Sequence, residues 1–106
     1  VRTGASIHIG LITVTDSKGE IPDVDTIKRV MPALQSCVVD NLRRGDAVSL
    51  YSSTQLVTML GQTTYENGCK VLDRVIRLYQ REYPMETVKV QYRLEAVDPL
   101  DDNPGT

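Results

Sequence analysis

The stretch RRGDAVSLYSSTQLVTML, residues 43–60, decides the fold of this chain. Two short apolar runs within it, AVSLY and QLVTML, have the composition of β-strands and meet at Ser52 and Ser53. A tight hairpin turn usually carries Asn-Gly, Asp-Gly or another glycine, because its central residues need a positive φ. We predict a hairpin here, and its two serines require an explanation beyond turn geometry.

The segments before the hairpin predict one strand and one helix. Residues 6–15 are apolar or β-branched at nearly every position, which is typical of a central strand covered on both faces, or on one face plus an edge. Apolar residues recur at helical spacing over residues 27–42, and Asp23 or Asp25 can cap the helix start. Pro32 lies inside this stripe, so the helix either kinks there or begins again at Pro32.

The end of this first helix is predicted from charge and from a glycine. We expect the longer part of the helix to follow Pro32 and to end near Arg43 and Arg44, whose positive charges suit a helix C-terminus. Gly45 follows at the usual place of a left-handed residue that ends a helix. The hairpin strands therefore begin directly after the helix.

The segments after the hairpin predict the second helix and the last strand. Thr63 and Glu66 have the spacing of a capping box, and Pro84 marks the helix end. The run TVKVQYRLEAV, residues 87–97, alternates as a strand with one face on the core does. The predicted buried positions are Cys69, Leu72, Val75, Ile76 and Tyr79 on the helix, and Val88, Val90, Tyr92 and Leu94 on the strand.

The predicted element order is β-α-β-β-α-β. It is typical of a ferredoxin-like α+β fold, in which two helices cover one face of a four-stranded antiparallel sheet. With 106 residues, 41% of them hydrophobic, the chain fits one domain, predicted to span residues 1–98. Residues 99–106 are expected to form a polar, disordered tail. Since the chain opens without methionine, we expect it to be part of a larger protein.

Charge and composition exclude several classes of function. A net charge of −2 argues against a surface built for phosphate backbones, and no apolar stretch approaches the roughly 20 residues that cross a bilayer. A cytoplasmic protein without membrane contact is therefore expected. Cys37 and Cys69 lack zinc-site spacing and are expected to be buried, reduced thiols. The single histidine, His8, is expected to face solvent or bond a neighbour, and no cofactor is predicted.

The region around the hairpin resembles the catalytic domain of diguanylate cyclases, the GGDEF family. Arg43 and Asp46 fill the positions of the family's RxxD motif, and Tyr51 precedes the turn. The run LDRV, residues 72–75, falls where the family's second helix carries Glu-Arg-Ile. The likeness extends over residues 7–97. The five signature positions are occupied here by Ser52, Ser53, Thr54, Gln55 and Leu56.

More narrowly, the chain resembles the serine-bearing version of this domain that lies at the C-terminus of bacterial regulators with a bacterial transcriptional activator domain. That resemblance implies a role in transcription regulation or signal transduction.

The resemblance also implies that cyclase activity has been lost. Condensing two GTP molecules needs a metal held by acidic ligands, but Thr54 and Gln55 are neutral. The end of the first strand, TVTD, puts Thr or Val at the first metal position and Asp16 at best at the second. Ser52 and Ser53 replace glycines that let the backbone approach the nucleotide, and SKGEIPD replaces the family's FKxxND run. We predict no catalytic residue and no metal site.

The RxxD match leaves two interpretations open. In the family, this Arg and Asp grip cyclic di-GMP, so the resemblance implies a receptor for that nucleotide with Arg43 and Asp46 as its ligands. The other interpretation is a helix end, with Arg near the last carbonyls, Gly45 turning the chain and Asp beginning the next turn.

The function implied overall is a non-catalytic regulatory or protein-interaction domain of a bacterial regulator, and a cyclic di-GMP receptor is the alternative. The expected partners are other domains of the same regulator and a second copy of the chain. An RNA-binding module shares the element order, but QLVTML offers no aromatic residue for stacking bases, so no direct nucleic-acid contact is expected. Either a solvated face or an interaction surface explains the charged helix residues Asp73, Arg74, Arg77, Arg81 and Glu82.

Overall fold

A computed structural model describes residues 6–97, so the predicted tail at 99–106 lies outside the described residues. The four strands pair antiparallel in the order β2-β3-β1-β4, and the two helices lie on one face of the sheet. The predicted ferredoxin-like α+β fold is therefore confirmed. The elements are β1 (Ser6–Thr15), α1 (Val24–Asn41), β2 (Ala47–Ser52), β3 (Gln55–Thr63), α2 (Tyr65–Glu82) and β4 (Lys89–Val97).

The core lies between the helices and one face of the sheet. Alternate residues of β1 are buried, starting with His8, while the residues between them are only half covered. Strand β1 is therefore central in the sheet, as predicted, but the helices cover only one of its faces. The buried apolar side chains are Ile12, Val14, Val30, Met31, Leu34, Val38, Leu56, Leu60, Leu72, Val75, Tyr79, Val90 and Leu94.

Helix α1 runs without interruption over Val24–Asn41 and passes through Pro32. The prediction that the helix begins again at Pro32 is wrong. The two residues before the proline, Val30 and Met31, are buried in the core, and their packing offsets the backbone hydrogen bond that proline cannot make. Asp23, one of the two predicted caps, accepts a first-turn backbone N–H at 2.8 Å.

The same helix ends slightly earlier than its sequence suggested. Asn41 is its last residue, and the extended Leu42 caps it, so Arg43 and Arg44 lie beyond the helix. The helix therefore ends near these two arginines, as predicted, but their charges lie just outside its last turn. Gly45 does have the expected left-handed backbone, with φ +96°, but it lies in the turn that follows the helix.

The cap of helix α2 is shifted by one residue from the predicted capping box. Thr63 is the buried last residue of β3, and the extended Thr64 is the N-cap, whose hydroxyl accepts the N–H of Asn67 at 3.1 Å. Because the cap is Thr64, Asn67 takes the place three residues later that Glu66 was predicted to hold. Pairing of Thr63 in the sheet decides the register of the cap.

Two glycines let α2 approach the sheet closely. A Cβ on Gly10 in β1 would lie 2.7 Å from Thr58 Oγ1 and 2.8 Å from Leu72 Cδ1. A Cβ on Gly68, in the first turn of α2, would lie 2.8 Å from Leu94 Cδ2. These distances are shorter than carbon contacts allow, so the packing of α2 on β1 and β4 depends on glycine at both positions.

The histidine and the cysteines serve as packing residues. His8 is buried, and its Nδ1 lies 3.2 Å from the Ser6 carbonyl oxygen. Of the two predictions for this histidine, the bond to a neighbour is therefore confirmed and exposure to solvent is wrong. Cys37 and Cys69 are free thiols, but both are only partly buried, because they flank the buried stripes of their helices. The expectation of buried thiols is therefore met only in part. Within the described residues, no helix is long and apolar enough to span a membrane.

We expect Gly10→Ala to lower the free energy of unfolding by about 1–3 kcal/mol, because the added methyl group collides with Thr58 and Leu72. Chemical denaturation followed by circular dichroism measures the change. Gly61→Ala is the matched control in β3, since a Cβ there meets its nearest atom at an ordinary 3.5 Å. Equal losses from the two substitutions would show that strand propensity, and not close helix packing, explains the need for Gly10.

Candidate functional site

The predicted site residues lie at the two ends of strand β2. The five signature positions surround the β2–β3 turn, where β2 ends at Ser52 and β3 begins at Gln55. Arg43 and Asp46 lie just before the other end of β2. The residues that carry the resemblance therefore lie in two separate places, the β2–β3 turn and the connection between α1 and β2.

The turn forms without a glycine. Ser53 and Thr54 connect the strands, and the register shifts between Leu50 and Ser52, so Tyr51 is an extra, bulged residue of β2. Among the described residues, positive φ occurs at Gly19, Gly45 and Gln62 and at neither serine of the turn. Because a bulge adds local twist, the hairpin closes with ordinary backbone angles.

The polar side chains of the turn bond to one another. Ser52 Oγ donates to Gln55 Oε1 at 2.9 Å, and Gln55 Nε2 donates to Thr13 Oγ1 on β1 at 3.2 Å. The Thr54 backbone N–H lies 3.3 Å from the same serine oxygen. Leu56, at the fifth signature position, is fully buried in the core. The two serines therefore differ: Ser52 holds the turn together, while Ser53 is exposed.

The loop after β1 uses its carboxylate for local structure. Asp16 Oδ1 accepts the backbone N–H groups of Lys18 at 2.8 Å and Glu20 at 2.9 Å. The hydrogen bond from Glu20 is the main reason why the pKa of Asp16 is lowered. This is the geometry of an Asx turn, which shapes the loop between β1 and α1.

The magnesium of diguanylate cyclases does not fit these residues. The turn supplies three hydroxyls, from Ser52, Ser53 and Thr54, and the amide of Gln55, and the carboxylate at the end of β1 is bonded to backbone N–H groups. Magnesium prefers carboxylate oxygens in near-octahedral geometry, and neutral hydroxyls and amides hold it weakly. Among the described residues, no group of three His, Cys, Asp or Glu side chains is placed to hold a metal ion.

At the other end of β2, Arg43 and Asp46 are tied to Gly61 of strand β3. The Gly61 N–H donates to Asp46 Oδ1 at 2.9 Å, and the Gly61 carbonyl accepts from Arg43 Nη2 at 2.8 Å. The arginine Nε also donates to Asp46 Oδ2 at 3.2 Å. Both backbone groups of a β3 residue are thus satisfied by side chains, in a position just beyond the Ala47–Met59 pair that begins the β2–β3 ladder.

The turn between helix and strand completes this arrangement. The Asp46 N–H donates to the Arg43 carbonyl at 3.0 Å, with Gly45 in the left-handed third position, as in a type II turn. The Arg43 N–H donates in return to Asp46 Oδ2 at 3.0 Å. Since a carboxylate offers about four acceptor sites, those of Asp46 are filled within the protein.

Burial and charge act in opposite directions on Asp46. Its side chain is 1% exposed, and desolvation opposes its ionisation, but the hydrogen bonds from Arg43 and Gly61 outweigh that effect and lower its pKa. The guanidinium of Arg43 remains 52% exposed. The carboxylate is therefore an internal structural group, while the arginine still presents part of its charge to solvent.

A basic depression lies beside this arginine. Its volume is about 370 Å³, and three of its lining side chains are cationic: Arg43, Lys70 and Arg74. Lys70 and Arg74 lie one turn apart on α2. The helix start, at Thr64 and Asn67, also lines the depression, and there the backbone dipole favours anions. The other lining residues are Gln62, Thr63, Thr64, Asn67 and Val71.

The sequence does not place these cations beside Arg43. Arg74 belongs to the charged residues of the second helix and to the LDRV run, residues 72–75, of the resemblance, and Lys70 belongs to neither. The sequence does show that Lys70 and Arg74 are four residues apart, a spacing that places both on one face of α2. Gln62, which also lines the depression, has φ 30° and lies where β3 carries an extra residue between its pairs with His8 and Ser6. The sequence does not predict this irregularity.

The chain matches no protein-family model, and a search of curated proteins finds no match for it.

We expect Asp46→Ala to lower the free energy of unfolding by about 1–3 kcal/mol at neutral pH, because it leaves the Gly61 N–H and the Arg43 guanidinium without their shared acceptor. Denaturant titration measures the loss. Asp40→Ala is the matched control, since this exposed carboxylate of α1 is outside the arrangement and should change stability by less than about 0.5 kcal/mol.

The same pair of variants has a defined pH dependence. The pKa of Asp46 in the folded protein is below the ordinary 3.8, so its contribution is complete above that value and is lost as the pH falls through the lowered pKa. The stability difference between wild type and Asp46→Ala should therefore shrink below about pH 4. A difference that stays constant down to strongly acidic pH would contradict the ionic role of this carboxylate.

Proposed function

We propose that this chain is a GGDEF-like domain without diguanylate cyclase activity, which serves as a regulatory or protein-interaction domain of a bacterial signalling or transcription regulator. The observation that carries the proposal is the chemistry of the β2–β3 turn. Where the family places glycines and acids, this turn has a chain of neutral side chains bonded to one another, from Ser52 through Gln55 to Thr13.

The chemistry of the family's reaction explains why this observation matters. Joining two GTP molecules requires attack of a 3′-oxygen on the α-phosphate of a triphosphate whose charge a metal neutralises, and pyrophosphate leaves. In the family, acidic side chains at the turn and at the end of the first strand bind that metal. Thr54 and Gln55 cannot replace such acids, and Asp16 is engaged by its own loop. A chain that keeps the fold without these ligands is better suited to contact than to catalysis.

The first experiment restores the signature at the turn. Wild-type protein is expected to form no cyclic di-GMP from GTP and Mg²⁺, and to bind no GTP in calorimetry. The variant with Ser52→Gly, Ser53→Gly, Thr54→Asp and Gln55→Glu is expected to gain Mg²⁺-dependent GTP binding, because it regains glycines and carboxylates where the resemblance places the nucleotide.

The control for this gain is a variant that carries only the two glycine substitutions, which changes the turn without adding ligands for a metal. Cyclic di-GMP formation by the wild type would overturn the proposed loss of activity. If the folded four-residue variant gains no GTP binding, the acid missing at the first metal position, at the end of β1, is also required.

A second candidate function is reception of cyclic di-GMP, and the basic depression favours it. The ligand carries two phosphate charges, and Arg43, Lys70 and Arg74 bring three positive charges to one place. Asp46 argues in the other direction, because its acceptor sites are filled by Arg43 and Gly61. The depression therefore supports binding through phosphates more than recognition of guanine by the aspartate.

Calorimetric titration with cyclic di-GMP tests this candidate. Micromolar binding, about −8 kcal/mol, is expected if the depression is a receptor site. Arg74→Ala should then weaken binding about tenfold or more, since it removes a charge-assisted hydrogen bond worth about 1.5–3 kcal/mol. Arg77→Ala, on the same helix but outside the depression, is the matched control. Arg43→Ala is unsuitable alone, because it also breaks the bonds to Asp46 and Gly61.

Absence of any heat change with cyclic di-GMP would exclude the receptor function and leave the protein-interaction role. Equal weakening by Arg74→Ala and Arg77→Ala would show a general charge effect and no site.

An RNA-binding role finds less support in the same structure. On the sheet face that the helices leave open, the central strands carry aliphatic residues, among them Ile9, Leu11, Val57 and Met59. Recognition of single-stranded RNA on such a sheet relies on aromatic side chains at these central positions. The surface therefore lacks the stacking platform that this function needs.

A further inference from the structure

The two edges of the sheet differ in chemistry. In the part of the chain that the structure describes, β2 and β4 form the edges. Strand β4, KVQYRLEAV, carries three exposed charged residues, Lys89, Arg93 and Glu95, which protect an edge against pairing with another chain. Strand β2, AVSLYS, carries no charged residue and no proline. Strand β2 therefore lacks the charged residues that protect β4 against pairing with another chain.

The largest exposed side chains of β2 are Leu50 and Tyr51. Leu50 is 57% exposed and Tyr51 is 66% exposed, and both are large side chains. Val48 and Leu50 pair with the buried Thr58 and Leu56, so they point to the side of the sheet that the helices cover. Leu50 points in that direction but finds no helix over it. A chain that paired with β2 would cover the exposed apolar surface of Leu50, and that burial is favourable.

We propose that β2 is a dimerisation edge, where two copies of this chain pair antiparallel and form one continuous eight-stranded sheet. The proposal rests on the proposed protein-interaction role and gives that role a surface and a partner. The occupant is a second copy because the strand is complementary to itself, whereas its lack of charge offers no feature that would select a charged peptide.

Self-complementarity follows from the period of the strand. A two-fold axis through Ser49 places Ser49 opposite its own copy, and Val48 opposite Leu50 of the partner subunit. Val48 and Leu50 share one face of the sheet, so this register matches side chains of the same face in both copies. Leu50 is then covered from two sides, and no like charges meet across the interface.

The size of the edge predicts a weak dimer. Six residues of β2 bury less area than a standard stable interface, so affinity on the order of micromolar is expected. Such a contact would respond to protein concentration and to linkage with other domains. The shortness of the strand and its bulge at Tyr51 limit further growth of the sheet, which favours a closed pair over a fibre.

Sedimentation velocity of the full chain, from low to high micromolar concentration and without nucleotide, tests the dimer. Wild type is expected to shift from monomer to dimer. Leu50→Lys should raise the dissociation constant about tenfold or more, because two ammonium groups would enter the paired edge. Val39→Lys is the matched control, since this aliphatic residue, 52% exposed, lies on helix α1 and is not part of the β2 strand.

A cross-linking experiment identifies the register. In an antiparallel pair, opposite Cα atoms are about 4.5–5.5 Å apart, which is within the range of a disulfide. Ser49→Cys should therefore give a disulfide-linked dimer under mild oxidation, and adding Leu50→Lys should suppress it. Wild type controls for Cys37 and Cys69, and Ser36→Cys on the exposed side of α1 controls for chance collisions.

A monomer at every concentration would overturn the proposed dimer. A dimer that persists in Leu50→Lys and does not cross-link through Ser49→Cys would also overturn it, because another surface would then be responsible. Neither result bears on the lost cyclase activity, which the restored turn tests separately.

Discussion

The close contact of helix α2 with the sheet at Gly10 and Gly68 sets the plan of this molecule. Because neither glycine has a Cβ, the helix can lie close against β1 and β4. The side chains of Leu60, Leu72 and Leu94 fill the space around the two glycines. The helices share that face of the sheet and leave the other face uncovered. They also leave β2 at the margin, with Leu50 beyond their cover. What the domain can contact follows from this placement.

The Arg43–Asp46 pair shows that a motif associated with a ligand can also be a part of the backbone structure. Its two side chains supply the donor and acceptor that Gly61 needs beyond the β2–β3 ladder. That requirement exists whether or not a nucleotide binds, so the motif by itself is weak evidence for reception. The stronger support for nucleotide binding is that Lys70 and Arg74 of helix α2 line the same depression as Arg43.

The sequence predicted the element order because hydrophobic periodicity reflects burial on one face. That relation holds in both helices and in β1, β3 and β4, while β2 has no buried residue. It was less reliable where tertiary packing overrides a local signal. Pro32 suggested a helix boundary, but burial of Val30 and Met31 carries α1 through it. Thr63 suggested a cap, but the sheet retains it. The basic depression could not be predicted, since it depends on a bulge near Gln62 and on a contact between elements far apart in the sequence.

Strand β2 connects the two surfaces that this structure offers to partners. Its first residues are held by the Arg43–Asp46–Gly61 arrangement, and its outer edge is the neutral strand with Leu50 and Tyr51. An anion that draws the Arg43 guanidinium into the depression competes with the bond to the Gly61 carbonyl, which is one of the ties between this connection and β3. The guanidinium of Arg43 is thus shared between the depression and the connection that precedes β2. Under the two proposals, an anion would affect edge pairing only if it bound two arrangements of this connection with different affinity.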